Sequence, residues 1–508
     1  MEEKSNKSKK IVSQHIFMFP FRIETNYNKE KVKEDGWEYK PFNFESNDKE
    51  LATKYNEYLY FHEYVRNALF NNSSNENDNV SFHYERDIPE AAKIVLHIKG
   101  GKTYTLPIKR ISLRLFETSV GILTIELLNY DYCSHIDVFI INDFGRRIYP
   151  QFIGSQDGTD ATKGKFLADK IELFLGDNLI TEDFKTEDFL KKELKVASYI
   201  DYLLGNELEE KVIPVIDDRM YTMCWYENEA FSKLIFSKNG DEYGFESSDE
   251  WYKFIYVDGN DIGVANEKMK RELIKAATYA RWVERGTLFG ISRYSFVCVT
   301  HDEEDFGYNV IRNQMEGVYY QMAVILLAQR ASILKFSDDV SKITSQAKNS
   351  GSKFINKKFK SIAESVKTLY FSFIRFVNSL YFGEVSPQDQ GIEMYNMAVK
   401  NMGLREQLNE VRYEIERLYE FVDMLQEKFI RKGLRAIKVI SFVIIAPTLA
   451  VNLVNMGIFT EKIKMQIFGR NIQNGWLFFI LTSLILIMFY LLFKIFLRDG
   501  GNNYGIDC

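Results

Sequence analysis

The sequence predicts an α+β domain with a mixed or antiparallel sheet and helices, followed by a long stalk helix and two C-terminal transmembrane helices. Three observations support this fold class. Apolar and polar residues alternate in short segments through the first part of the chain, heptad spacing follows in the second part, and two long apolar runs lie near the end. Alternation is typical of strands, heptads of bundling helices, and long apolar runs of membrane spans.

Composition excludes several classes of protein. The 508 residues include 65 Lys and Arg against 71 Asp and Glu, a net charge of −6, which argues against a globally basic protein that binds nucleic acid directly. A hydrophobic fraction of 46% with only 8 prolines excludes collagen-like and mostly disordered chains. The 4 cysteines are far apart, which excludes a disulfide scaffold and indicates a reducing compartment.

Residues 1–310 are predicted to form a cytoplasmic α/β sensor domain. Gly100 and Gly101 separate two alternating segments and predict an antiparallel hairpin. Strands are predicted at 93–98, 103–116, 122–128, 135–142 and 296–299, and helices near 49–70, 163–174 and 267–285.

Residues 311–386 are predicted to form a cytoplasmic helical region, with helices at 315–336 and 361–380. Between them, residues 341–360 carry six lysines and no acid. A solvated basic linker is the favoured interpretation, and a patch for nucleic acid or lipid headgroups is the alternative.

The stalk helix is predicted at 387–436, where apolar residues recur with alternating spacings of four and three. This 3.5-residue period keeps one seam facing a partner helix. A continuous helix over residues 404–459 would be about 84 Å long. The seam consists of Leu404, Leu408, Val411, Ile415, Leu418, Val422, Leu425 and Phe429.

Two membrane spans are predicted, at 437–459 and 476–498, with an external loop at 460–475 and a cytoplasmic tail at 499–508. Residues 437–459 contain one charge in 23 residues, and residues 476–493 contain none in 18. The N-terminal residues do not read as a signal peptide. Seven basic residues lie before or at the start of the first span and at the end of the second, against three in the loop, which predicts both termini in the cytoplasm.

Polar residues in the first span share one face at heptad spacing. Because amides cost free energy against lipid, this face is expected to meet protein or water. Several copies that turned it inward would form an ion pore, with the apolar members as constrictions. The alternative is that the asparagines only hydrogen bond between helices. The predicted pore-lining residues are Ser441, Ile445, Thr448, Asn452, Asn455 and Phe459.

This layout resembles the CorA family of two-span metal-ion channels. Pro447 and Phe459 fit the family's spacing between a proline and the outer end of the first span. The family's Gly-Met-Asn element is missing in register, since residues 455–458 read Asn-Met-Gly-Ile, and the following loop is net positive. Lys438 also lies near the pore stripe. These departures argue against magnesium selectivity, because rings of lysine repel divalent cations.

A narrower resemblance is to the CorA-like membrane effectors associated with type III CRISPR systems. It implies a homopentameric, multi-pass channel in the bacterial inner (plasma) membrane that disrupts ion balance in antiviral defence. It also implies gating by a nucleotide second messenger, a conjugate of S-adenosylmethionine and AMP. The similar stretches are residues 15–21, 140–150, 281–296, 326–331 and 383–388.

Candidate ligand residues follow from the chemistry of such a messenger. A phosphodiester requires guanidinium or backbone donors, and adenine requires flat faces for stacking. A structural role in ion pairs or the core is the alternative for each candidate. The residues of these types near predicted turns are Arg146, Arg147, Tyr149, Arg281, Trp282 and Arg293.

The sequence gives little support to an enzymatic function. The 6 histidines form no H-E-x-x-H motif, and no Gly-x-Ser-x-Gly motif is present, so the chain is predicted not to be an enzyme and to need no cofactor beyond the messenger. A divalent cation stays open as a ligand, although no residues are assigned to a metal. Two rival functions are a constitutive Mg²⁺ or divalent-cation transporter regulated by its metal and a membrane-tethered scaffold without a pore.

Overall fold

A computed structural model describes most of the chain in two compact units, Met1–Tyr419 and Glu420–Cys508. The described residues are 9–24, 26–42, 49–70, 79–150, 153–185, 196–216, 218–259, 263–301, 306–348, 355–455, 466–467, 470–471 and 490.

The strands and helices are numbered in chain order. The strands are β1 (Ser13–Ile23), β2 (Trp37–Tyr39), β3 (Ser81–Arg86), β4 (Lys93–Ile98), β5 (Lys102–Phe116), β6 (Val120–Asn129), β7 (Lys170–Leu175), β8 (Asn178–Glu182), β9 (Val212–Pro214), β10 (Tyr221–Glu227), β11 (Lys238–Asn239), β12 (Glu242–Tyr243), β13 (Thr278–Tyr279), β14 (Thr287–Ile291), β15 (Ser295–Thr300), β16 (Gln466–Ile467) and β17 (Arg470–Asn471). The α-helices are α1 (Lys29–Glu34), α2 (Lys49–Leu59), α3 (Glu63–Leu69), α4 (His135–Gly145), α5 (Ser198–Leu204), α6 (Glu229–Phe236), α7 (Asp249–Tyr256), α8 (Glu267–Ala277), α9 (Arg312–Glu316), α10 (Val318–Lys348), α11 (Ile355–Ser379), α12 (Asp389–Met402) and α13 (Leu404–Asn455). A π-helical turn, Gly307–Ile311, precedes α9, and short 3₁₀ turns occupy Thr159–Ala161, Glu209–Lys211, Gly244–Ser247 and Val283–Arg285.

One large mixed sheet organises the first unit. Its main path runs β13-β14-β15-β10-β1-β6-β5-β4-β7-β8, with β2, β3 and β9 paired beside it. The pairing between β10 and β15 is parallel, whereas β1 pairs antiparallel with β6, β9 and β10. Strand β1 is buried along almost its whole length, because apolar residues of helices α4 and α5 and of neighbouring strands pack with it. The sheet is therefore the rigid support for any site built on its strands.

Most of the predicted strands are confirmed. Strand β4 spans the predicted 93–98, and β5 and β6 extend the next two predictions by a few residues. Strands β4 and β5 pair antiparallel around Gly100 and Gly101, both of which have positive φ, as the predicted hairpin requires. The predicted strand at 296–299 lies inside β15.

Two predicted elements in this unit are wrong. Residues 135–142, predicted as a strand, form helix α4, because Ser134 caps the first turn and Val138, Ile141 and Phe144 bury one helical face. Residues 163–174, predicted as a helix, lead into strand β7, whose apolar residues alternate and which pairs with β4. The predicted helix at 49–70 is two helices, α2 and α3, and the one at 267–285 ends at Ala277.

The observed helices of the helical region and the stalk largely agree with the predicted ones. Helix α10 contains most of residues 315–336, α11 contains most of 361–380, and α13 confirms a continuous helix from Leu404 to Asn455. Gly403, with a φ of +68°, separates α12 from α13. The heptad residues Leu404, Leu408, Val411 and Ile415 are buried within this chain, so the first half of the seam already has a partner.

The prediction of two membrane spans, and with it of a multi-pass inner-membrane protein, is contradicted. A span requires about 20 consecutive, predominantly apolar residues. Within the described part of the chain, no helix has enough length and apolar character to cross a membrane. Residues 456–459 and, apart from residue 490, residues 476–498 lie outside the described residues. The pore residues 441–455 lie in α13 and Phe459 lies outside, so their pore role receives no support.

A buried row of polar side chains crosses the centre of the sheet. The Nε2 atom of His15 lies 2.9 Å from the hydroxyl oxygen of Ser13, and its Nδ1 atom lies 2.7 Å from the amide oxygen of Asn142. All three side chains are at most 1% exposed. Hydrolases arrange a nucleophile, a histidine and an orienting group in the same order, and spacing in the sequence did not reveal this row. Here, no part of the row is open to solvent, so its role in this fold is to bridge β1 and α4.

Burial predicts how His15 makes stability depend on pH. Burial lowers the pKa of His15 from 6.5 to about 4, with the Asn142 hydrogen bond opposing the shift. The unfolded chain therefore binds a proton that the folded chain excludes, and stability is lost as pH falls from 6.5 towards 4. The full loss is about 3 kcal/mol.

Urea unfolding at pH 7 and pH 4.5 checks this expectation. Because many carboxylates also titrate in this range, the parent is compared with His15→Gln, which cannot take up the proton. We expect the stability of the variant to fall less between the two pH values. An equal fall in both proteins would contradict a neutral, buried His15.

Candidate ligand-binding cleft

A β-bulge in strand β5 places two consecutive basic residues at one position of the sheet. The register between β5 and β6 shifts between Ile108 and Arg110, so Lys109 is the extra residue. Neighbours in a regular strand point to opposite faces, whereas a bulge redirects one of them. As a result, Lys109 Nζ lies 3.1 Å from Glu126 Oε1, and Arg110 Nη2 lies 3.1 Å from Glu126 Oε2.

These two cations line an open cavity of about 640 Å³, which we call the bulge cleft. This volume lies within the range of small-molecule sites. Helix α2 forms one wall, strand β3 and the segment after it a second, and helix α9 a third. The lining residues are Thr53, Lys54, Glu57, Glu85, Arg86, Ile88, Lys109, Arg110, Glu126, Asn313, Glu316 and Gly317.

Aromatic rings hold two arginines of the cleft in place. The guanidinium carbon of Arg110 lies 4.7 Å from the centre of the Tyr320 ring, and that of Arg86 lies 4.9 Å from the Trp37 ring. Arg86 also donates from Nη2 to the backbone oxygens of Asp35 and Leu203, at 2.9 and 3.0 Å. Stacked and anchored guanidinium groups lose little conformational entropy when they bind an anion.

The bulge cations also control ionisation in the cleft. Burial disfavours the charged form of Glu126, whose side chain is 1% exposed, but the charges of Arg110 and Lys109 outweigh burial and lower the pKa of that carboxyl. Burial lowers the pKa of the Arg110 guanidinium, but Glu126, Tyr320, Glu85 and Glu316 together outweigh burial and raise it. At Glu57, burial outweighs the hydrogen bond with Gln321 and the charges of Arg110, Arg114 and Lys54, and it raises the pKa of the carboxyl.

Buried polar atoms with unused hydrogen-bonding capacity lie on the lining residue Arg110 and on two residues beside Glu57 that do not line the cleft. Arg110 Nε and Arg114 Nε are buried donors, and Gln321 Oε1 is a buried acceptor. None of the three has a hydrogen-bond partner among the described residues. Arg114 is 3% exposed, and its Nη1 donates to the backbone oxygen of Leu69. Since a buried donor without a partner costs free energy, such atoms favour a bound ligand or water.

The ligand residues predicted at 146–149 lie elsewhere, in a buried ion-pair cluster. Arg147 Nη1 lies 2.6 Å from Asp218 Oδ2, and both Arg146 and Arg147 contact Asp143 at 3.1 to 3.2 Å. Burial lowers the pKa of Arg146 to about 10, with Asp143 opposing the shift. Tyr149 packs against the main hydrophobic core. The carboxylates of this ion-pair cluster occupy the position that the sequence assigned to a phosphate.

The other predicted ligand residues contact helix α12 and its C-terminal end. Arg281 Nη1 lies 2.8 Å from Glu393 Oε1, and Trp282 Nε1 donates to Gln390 Oε1 at 2.9 Å. Arg293 Nη2 donates to the backbone oxygen of Met402. None of the six predicted residues lines the bulge cleft. Their role in ligand binding stays a prediction.

The chain matches no protein-family model, no curated protein and no solved structure. The resemblance to CorA-like effectors therefore stays a prediction, and the geometry of the chain itself must carry any functional proposal.

The apolar pattern of strand β5 indicates the bulge. In strand β5 the buried apolar positions are even-numbered up to Ile108 and odd-numbered from Ile111 to Leu115. A change of parity inside one strand indicates one extra residue, and here the change coincides with the pair Lys109 and Arg110. A glycine can also leave room for a ligand to approach the backbone. At Gly286, the backbone oxygen of His301 occupies that room, 1.8 Å from where a Cβ would lie.

Metal binding has no support in the described geometry. Among the residues that the structure describes, no three His, Cys, Asp or Glu side chains are grouped so as to hold a metal ion. Residues 302–305, which follow His301 with the acidic sequence Asp-Glu-Glu-Asp, lie outside the described residues.

Proposed function

We propose that the protein is a sensor that binds a small phosphate-bearing nucleotide in the bulge cleft. The observation that carries this proposal is the environment of Arg110. Its guanidinium lines the cleft, is stacked on Tyr320, and has an Nε without a hydrogen-bond partner among the described residues. Together with Lys109, this arginine provides charge-assisted donors of the kind that bind phosphate oxygens.

The balance of charges in the cleft narrows the class of ligand. Its lining contains the basic residues Lys54, Arg86, Lys109 and Arg110 and the acidic residues Glu57, Glu85, Glu126 and Glu316. A purely anionic ligand would meet as many repulsive as attractive charges. A nucleotide that also carries a cationic group is complementary to both signs. The conjugate of S-adenosylmethionine and AMP that the CorA-like resemblance implies belongs to this class.

Packing inside the first unit offers a route from the cleft to α13. Helix α9, which lines the cleft, is followed by α10, and Gln329 of α10 donates to the hydroxyl of Tyr395 in α12. Helix α12 leads through Gly403 into α13. A ligand that binds one arrangement of α9 better than another would thereby bias the start of α13.

The proposal also includes a signalling role in type III CRISPR defence and the association of several copies. Only the resemblance supports this part. Exposed apolar residues along α13, such as Tyr413, Phe421 and Ile430, are compatible with such association. A membrane pore is not part of the proposal, because it requires the spans that the described helices do not provide.

Calorimetric titration of the full-length protein with AMP, S-adenosylmethionine and their conjugate tests the function. We expect the conjugate to bind more tightly than either half, because only the conjugate carries both charges together with the adenosines. The affinity should fall as salt rises, since the contacts are charged. Failure of all three ligands to bind would overturn the proposal.

A further inference from the structure

The carboxylate of Glu316 in helix α9 forms an ion pair with Lys109, one of the two basic residues of the bulge. Its Oε1 atom accepts a hydrogen bond from Gln14 Nε2 at 2.6 Å and forms ion pairs with Lys109 and, at 2.8 Å, with Arg312 Nη1. The Glu316 side chain is 20% exposed, so it lies at the margin of the cleft rather than in the core. Its carboxylate holds the position where an incoming anion would meet Lys109.

Lys109 does not need Glu316 in order to be neutralised. Glu126 lies 3.1 Å from the same ammonium, is 1% exposed, and is fixed in the middle of strand β6. Gln14 also donates to both carboxylates, so the two anions share a lysine and an amide. Like charges held this close repel each other. Of the two, Glu316 is the carboxylate that can leave without stranding a buried charge.

The backbone around Glu316 separates α9 from its neighbours. Helix α9 has only five residues, the π-helical turn Gly307–Ile311 precedes it, and Gly317 interrupts the helix before α10. Arg312 is on the same helix, one turn before Glu316. If α9 moved away from the sheet, Arg312 would go with it, and the Glu316 carboxylate would keep a partner.

We propose that Glu316 is an internal competitor for the anionic group of the ligand. The phosphate replaces the Glu316 carboxylate at Lys109, and α9 is released from strands β1 and β5. This inference rests on the proposed function, since it concerns the same cleft, and it adds how binding is regulated. In the resting protein, Lys109 pairs with the Glu316 carboxylate, and the ligand must displace that carboxylate to bind.

Binding of the S-adenosylmethionine–AMP conjugate to Glu316→Gln tests the inference. Removal of the competing charge should tighten binding by roughly threefold to tenfold relative to the parent. Glu85→Gln is the matched control, because it removes the same charge from the cleft without involving α9. Its effect should be smaller. An unchanged affinity in Glu316→Gln, or an equal gain in both variants, would overturn the inference.

Hydrogen exchange of α9 supplies a second readout. In the parent, the conjugate should speed amide exchange in residues 312–316, and in Glu316→Gln the exchange should already be fast without ligand. Slower exchange on binding would mean that the ligand fastens α9, which contradicts release. Binding that depends on Arg110 but not on Glu316 would overturn this inference alone. Absence of binding to either protein would overturn the proposed function with it.

Discussion

Arg110→Lys is expected to weaken binding of the S-adenosylmethionine–AMP conjugate by roughly tenfold to a hundredfold. The substitution keeps the positive charge but removes the planar fork that stacks on Tyr320. Hydrogen bonds to charged groups contribute about 1.5–3 kcal/mol each, and about 1.4 kcal/mol corresponds to a factor of ten in affinity. Calorimetric titration of the variant and the parent at the same ionic strength measures the difference.

Two comparisons make this result specific to the cleft. Arg271→Lys makes the same chemical change at an exposed ion pair with Glu242, outside the cleft, and should leave the affinity unchanged. Glu126 keeps Lys109 and gains a lysine at position 110, so Arg110→Lys should still fold, which circular dichroism would verify. Equal affinities in Arg110→Lys and the parent would show that the ligand does not use the bulge.

Asp218→Asn is expected to cost about 3–5 kcal/mol of folding stability, because it removes a buried counter-charge and leaves the buried Arg146 and Arg147 to share the carboxylate of Asp143. Asp218 is 0% exposed and lies 2.6 Å from Arg147 and 2.8 Å from Arg219. The midpoint of urea unfolding measures the loss. Glu229→Gln, which breaks an exposed ion pair with Lys233, should leave the midpoint unchanged.

The same variant distinguishes two roles for Arg146 and Arg147. If their partners are structural, Asp218→Asn should unfold more easily yet bind the nucleotide conjugate as the parent does, measured well below the unfolding transition. Weaker binding with an unchanged unfolding midpoint would instead support the ligand role that the sequence predicted for these arginines.

The local pattern of the chain predicts much of the sheet, because alternation and the Gly100-Gly101 turn are local signals. It fails at 135–142, where apolar residues fit both periods and the choice of helix depends on the cap at Ser134 and on burial against β1. It also fails at β7, where pairing with β4 decides the conformation. The Ser134 cap is a local signal, whereas the burial against β1 and the pairing with β4 come from residues distant in the sequence.

The candidate site was predictable only in part. The parity change in β5 marks Lys109 and Arg110 locally, but the cleft also needs α2 and α9, which approach the bulge only in the folded chain. Arg146 and Arg147 looked available for a phosphate because Asp218, which neutralises Arg147, is 71 positions further along the chain. Residue type identifies groups that can bind an anion. Tertiary structure decides which of these groups already pair with a carboxylate of the same chain.

A structure of the full-length protein with the bound conjugate tests the account most directly. We expect ligand density in the bulge cleft, with phosphate oxygens within hydrogen-bonding distance of Arg110 and Lys109 and with Glu316 displaced from Lys109. Density beside Arg146 and Arg147, or beside Arg281 and Trp282, with an empty bulge cleft would contradict it.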